Sequence, residues 1–196
     1  MGKRKYLNRI EQLFEKSPVV SFDSIERIVQ SKKKNSYAKV LVSNLVRQGK
    51  IKKLVKGCYT IHPDAGLAVF CFPPAYLGLQ SALSLHRIWD QETVPVILTA
   101  KNVRMGMRQV LGSNVLVRKI AKKHYFGQEL HHESRFYLPY SDLEKTLIDF
   151  VSFRERLSPE ALKELRKKID RKKLERYLAK YPAETGRRVR GLVKSG

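Results

Sequence analysis

The residues best suited by type and spacing to do chemistry are cations and amides in the first third of the chain. Lys32, Lys33 and Lys34 precede Ser36, Tyr37, Lys39, Ser43, Asn44 and Arg47, and Lys52, Lys53 and Lys56 follow. Ammonium groups neutralise phosphates, while guanidinium and carboxamide groups match the hydrogen-bonding edges of guanine and adenine. The chemistry on offer is nucleic-acid recognition, with Arg47 suited to guanine and Asn44 to adenine. Taken singly, each is also an ordinary solvated side chain.

Other constellations are weaker. His131 and His132 are adjacent, with His124 nearby, but neighbours on a strand point apart and nothing close completes a zinc set, so no metal is expected. Cys58 and Cys71 form no C-x-x-C pair and lie in apolar surroundings, which predicts packing and a reducing compartment. Asp64 with Asp170-Arg171-Lys172 is the one match to the acid and acid-x-Lys pattern of magnesium nucleases, and its parts are far apart in a chain rich in lysine. There is no phosphate-binding G-x-x-x-x-G-K-[ST] loop and no G-x-S-x-G elbow. No catalytic residue or cofactor is expected, and the chain reads as a non-enzyme.

Charge supports a polyanionic partner. Across 196 residues, 40 lysines and arginines face 18 acids, a formal charge of +22, far more than solubility requires. The excess is uneven: residues 1–63 carry 15 bases and 4 acids, residues 64–154 carry 11 and 8, and residues 155–196 carry 14 and 6. No apolar run approaches the ~20 residues of a membrane span, and the basic N-terminus leads into a polar helix, so a cytoplasmic protein with no membrane partner is expected.

The elements that would position the cationic set follow from periodicity. Tyr6, Ile10, Leu13 and Phe14 make one stripe on a helix over residues 3–16. Ser21 can cap a second helix over 22–30 with Ile25, Ile28 and Val29 inward, and Ser36 a third to Gln48 with Ala38, Leu41, Val42 and Leu45 inward. Gly49 stops the third helix, whose opposite stripe is Ser36, Val40, Ser43 and Arg47. Strands over 51–55 and 58–61 flank a Lys56-Gly57 turn. Three helices and a basic hairpin predict a winged helix-turn-helix domain over residues 1–62, the third helix entering the major groove and the hairpin lying on backbone or minor groove.

Beyond a linker at His62-Pro63-Asp64-Ala65-Gly66, a mixed α/β domain is predicted over 67–155. Its strands are placed at 67–72, 94–99, 115–120 and 136–138, with helices over 75–88 and after a Ser141 cap. Residues 156–196 read as a basic helical extension, helical from 162 to 178 and looser near Gly186, Gly191 and Gly196. The fold class is α/β (α+β).

Tyr76-Leu77-Gly78-Leu79-Gln80-Ser81-Ala82-Leu83 followed by His86 resembles the signature helix of the AbiEi antitoxin family of type IV toxin-antitoxin systems. Asp142-Leu143-Glu144-Lys145-Thr146-Leu147-Ile148-Asp149 resembles its later glutamate-lysine-threonine helix, and Gly49 through Tyr59 its wing. The likeness spans about residues 5–155 and departs at Arg87, where the family usually has glycine. It implies an autorepressor that binds inverted repeats in double-stranded DNA and counteracts a nucleotidyltransferase-like toxin encoded nearby. A symmetric operator implies a homodimer or cooperative pair. The rival readings are a nuclease targeted by a winged helix and an RNA- or ribosome-associated basic protein.

Overall fold

Apolar spacing at three and four residues gives the first unit its helices. A computed structural model describes residues 2–29, 36–91, 93–133 and 135–194, with the backbone alone for residues 2–5 and 36. In it Ile10 and Phe14 are buried on α1 (Gly2–Lys16), Ile25 and Val29 on α2 (Phe22–Val29), and Ala38, Val42 and Leu45 on α3 (Ser36–Arg47). The Ser24 amide donates to Ser21 Oγ at 3.1 Å, the capping bond that starts α2. Gly49 takes φ +70° just past α3, a conformation open to glycine without a Cβ penalty.

Three short strands complete this unit. β1 (Val20–Ser21), β2 (Lys52–Val55) and β3 (Cys58–Thr60) form an antiparallel sheet in the order β1-β3-β2. β1 is too short to leave a periodic signal, and pairing Val20 with Tyr59 is what fixes it. The Thr60 hydroxyl donates to Pro18 O at 2.7 Å, joining the end of β3 to the segment before β1.

The chain divides into Met1–Cys71 with Gln109–Asn114, and Phe72–Arg108 with Val115–Gly196. The first unit thus runs past the expected boundary at residue 62. Its continuous stretch ends in a 3-10 helix, Ala65–Cys71, where a strand was expected over 67–72. Asp64 Oδ1 accepts from the Gly66 amide at 2.7 Å and starts that turn, and an unbroken apolar run carries no period to separate helix from strand.

A six-stranded mixed sheet with helices against it builds the second unit, apart from the hairpin tip Gln109–Asn114, which groups with the first. β4 (Ala75–Leu77), β5 (Val96–Thr99), β6 (Gly106–Val110), β7 (Ser113–Lys119), β8 (Gln128–Glu133) and β9 (Phe136–Ser141) run in the order β6-β7-β5-β4-β9-β8. β4 pairs antiparallel with β5 and parallel with β9, and β5 is parallel to β7. The helix expected over 75–88 is therefore a buried strand followed by a short α4 (Gln80–Leu85). Gly78 lies between them in a close approach that leaves no room for a side chain, since a Cβ there would lie 2.8 Å from Leu98 Cδ1. β6 and β8 were not expected because their alternation is filled by charged and polar residues.

α5 (Leu143–Ser152) is capped by Asp142, not by Ser141: Asp142 Oδ1 accepts from the Lys145 amide at 2.7 Å. The helix expected over 162–178 is two, α6 (Pro159–Lys168) and α7 (Arg171–Leu178), divided at Asp170, whose Oδ1 accepts the amides of Lys172 and Lys173 at 2.8 and 3.1 Å. α8 (Ala183–Lys194) follows where looser chain was expected. These helices are no appendage. Leu165, Leu174, Leu178, Val189 and Val193 join Tyr76, Leu79, Leu83, Leu98 and Leu147 in one core, and burying such a side chain stabilises by about 1.5–3 kcal/mol.

That core encloses ionisable groups. Lys145 is 0% exposed and Asp149, one turn on, 1%; Lys145 Nζ donates to Asp149 Oδ1, and the Tyr76 hydroxyl to Asp149 Oδ2 at 2.8 Å. The ammonium also lies 5.3 Å from the Tyr76 ring centre and 5.6 Å from that of Phe126. Burial lowers the Lys145 pKa and raises that of Asp149, each opposed by the charge of the other. Beside them Asp142 Oδ2 accepts from the Tyr177 hydroxyl at 2.8 Å and meets Lys173 Nζ at 3.1 Å, which ties α7 to the start of α5.

Two outcomes follow. Asp149→Leu strands a buried ammonium and destabilises by about 3–5 kcal/mol, whereas Lys145→Met with Asp149→Leu recovers most of it; urea unfolding of the three proteins measures both. Burial and the Asp142 carboxylate push the Tyr177 pKa from 10.0 up to about 12. The folded state therefore holds that proton longer than the unfolded chain, and the resulting stability, full below about pH 10, is lost as pH rises toward about 12. Tyr177→Phe lacks this loss, so the stability difference between wild type and variant shrinks across that window in urea titrations.

Candidate nucleic-acid interface

Packing of α3 decides which of its side chains can meet a ligand. With Ala38, Val42 and Leu45 turned into the core, Lys39, Val40, Ser43 and Arg47 are left exposed. Tyr37 is half-buried, its ring 6.3 Å from that of Tyr6 at 61°, so it braces α3 on α1. The expected set is thus sorted by function: Lys39, Ser43 and Arg47 are presented, and Tyr37 is used in part for packing. Lys32, Lys33 and Lys34 lie outside the described residues, as does the side chain of Ser36.

Asn44 and Arg47 are not independent. Arg47 Nη2 donates to Asn44 Oδ1 at 3.1 Å, one helical turn apart. The amide oxygen that would accept from adenine N6 is thereby engaged, and the guanidinium is held over α3 with other N–H groups still available. Asn44 thus supports Arg47, whose guanidinium is the more available of the two groups. Val40 stands in the same stripe at 56% exposure, a methyl-bearing surface of the kind that packs on a thymine methyl. It was visible in the sequence as the one apolar member of the polar stripe.

The hairpin is short and firmly based. Lys52 pairs with Thr60, Lys53 with Tyr59 and Val55 with Cys58, with an irregularity between Lys53 and Val55. Successive residues on a strand point to opposite faces, so Lys52 and Lys53 cover both sides of the hairpin, and Lys56 sits in the turn with Gly57 at φ +82°. The Phe22 amide donates to Gly57 O at 2.8 Å, which anchors the turn to the start of α2. All three lysines are exposed and make no ion pair among the described residues.

The other groups singled out in the sequence serve the scaffold. Asp64 and Asp170 are occupied as caps. His131 packs edge-on to His86 at 5.6 Å and to Tyr140 at 6.1 Å, His132 meets Tyr137, and His124 stacks on Tyr181 at 4.0 Å. Burial lowers the His124 pKa. Glu144, Lys145 and Asp149 are buried, Ser81 Oγ accepts from the Val96 amide at 2.8 Å, and His86 Nε2 lies 3.0 Å from Ser141 O. Among the described residues no three of His, Cys, Asp and Glu gather as a metal site, and no helix is long and apolar enough to cross a membrane.

This architecture has a solved counterpart. The crystal structure of the RV2827C protein from Mycobacterium tuberculosis is similar over 97% of this chain and 76% of its own, with a TM-score of 0.60 and 18% identity. The likeness establishes the α+β fold. No family model and no curated protein matches the sequence.

Proposed function

We propose that the first unit is a winged helix-turn-helix and that the protein is a sequence-specific regulator binding double-stranded DNA. The observation that carries this reading is the exposed face of α3, where Arg47 is fixed by Asn44 beside Val40 and Ser43, followed by a hairpin with three exposed lysines that make no ion pair among the described residues. α3 supplies base contacts in the major groove, and Lys52, Lys53 and Lys56 supply phosphate contacts that set affinity. Short strands limit the hairpin to a few phosphates. An operator of inverted repeats, read by a homodimer or cooperative pair, suits a single recognition helix per chain.

The likeness to AbiEi antitoxins extends this to an autorepressor that opposes a nucleotidyltransferase-like toxin. The buried positions of Glu144, Lys145 and Asp149 favour a scaffold role for that family-like helix, so any contact with a toxin falls to other residues. The use of Asp64 and Asp170 as caps speaks against the nuclease alternative.

Duplex titrations at several salt concentrations test the DNA reading. Lys52→Ala with Lys53→Ala and Lys56→Ala weakens selected and scrambled duplexes alike and lowers the salt slope by up to about 0.9 per lost contact. Arg47→Ala costs about 1–3 kcal/mol on the selected site alone, and adding Asn44→Ala to it costs little more, because both act through one guanidinium. Wild-type binding by both variants would assign the first unit to protein docking instead.

A further inference from the structure

The helices α6, α7 and α8 were expected to be a loosely attached basic tail, yet they are built into the core and leave their cations on a fixed frame. A cleft of about 500 Å³ is lined there by Pro159, Lys163, Arg166, Lys167, Arg171 and Val193. Four of these carry positive charge and none is acidic. Arg166 is held in place, since its Nε donates to Leu192 O at 2.7 Å across from α8.

Folding accounts for some of this charge and not for the rest. Lys167 pairs with Glu164, and bases in the last turn of α6 suit the negative end of its dipole. Arg190 and Arg188 are matched by Glu175 and Glu184, and Lys173 by Asp142, Glu144 and Glu129. Lys163, Arg171 and Lys172 make no ion pair among the described residues. Arg171 and Lys172 moreover occupy the first turn of α7, where the dipole disfavours cations. Asp170 caps that turn through the Lys172 and Lys173 amides, and a polyanion alongside would offset the repulsion that remains.

We infer that this cleft is a second phosphate-binding surface, and that it takes the sugar-phosphate backbone of double-stranded DNA. The assignment to DNA rests on the proposed function of the first unit. The chemistry fits a duplex, whose charge density of one phosphate charge per about 1.7 Å of axis can engage several cations of one groove together. The surface reads no bases: it adds affinity and salt dependence, leaving sequence preference to α3.

The test uses the full chain, a labelled scrambled duplex and a labelled selected site, titrated at several salt concentrations. The cleft variant is Lys163→Gln with Lys167→Gln and Arg171→Gln, substitutions that keep helix-forming side chains; a charge-matched control carries Lys101→Gln, Arg104→Gln and Lys122→Gln at exposed positions outside the cleft. Circular dichroism melts verify that both fold, and Lys163→Gln with Arg171→Gln alone serves if the triple variant does not. The cleft variant is expected to bind either duplex at least about tenfold more weakly near 0.1 M salt, with a slope lower by about 2–3, while the control changes affinity less than about threefold. Equal losses in both variants overturn the inference. So does loss of binding to single-stranded RNA or to inorganic triphosphate with duplex binding unchanged, which would reassign the cleft. A cleft variant indistinguishable from wild type also overturns the inference and leaves the reading of the first unit standing, whereas wild-type protein that binds duplexes without preference defeats that reading instead.

Discussion

Lys145 can hold an ammonium away from water only because Asp149 lies one turn along α5 and Tyr76 secures the carboxylate from β4. Around this pair the second unit assembles: Asp142 caps α5 and takes Tyr177 and Lys173 from α7, and Glu144 Oε1 accepts the Asp170 amide at 2.8 Å. With 18 acids against 40 bases, each acid committed to a cap or a buried bond is one fewer to neutralise cations outside. Asp64, Asp142, Glu144, Asp149 and Asp170 are all committed in this way. Lys39 and Arg47 on α3, the three hairpin lysines, and Lys163, Arg171 and Lys172 on α6 and α7 make no ion pair among the described residues, and their charge is open to a polyanion.

Where one face of an element is wet and the other packed, the sequence could be read. The stripes of α1, α2 and α3, the Ser21 cap and the Gly49 stop all agree with the structure, because a 3.6-residue period marks an amphipathic helix. Where burial is two-sided the signal vanishes. Residues 65–71 and 75–77 are apolar throughout, and the Asp64 bond to Gly66 and the pairing with β5 and β9, not periodicity, distinguish a 3-10 turn from a strand. The tail misled in the opposite sense. Its lysines and arginines outnumber its leucines, yet Leu165, Leu174, Leu178, Val189 and Val193 are enough to seat three helices.

The candidate interface was legible as a set of residues and not as a set of roles. Spacing alone puts Lys39, Ser43 and Arg47 on one face, and the structure agrees. It takes the structure to see that Asn44 is bonded to Arg47, that Tyr37 packs on Tyr6, and that Val40 is an exposed apolar side chain on that face. A polar side chain in a sequence does not reveal whether its hydrogen-bonding capacity is already committed, and that commitment separates a group that reads from one that supports.

The central claim is that α3 reads sequence in duplex DNA. Selection by the purified protein from a pool of random duplexes tests it most directly. The account predicts enrichment of an inverted repeat whose half-site centres are separated by about 10–10.5 base pairs or a multiple of that, with enrichment abolished by Arg47→Ala while bulk DNA binding persists. Retention of DNA by the wild-type protein with no sequence enriched would contradict it.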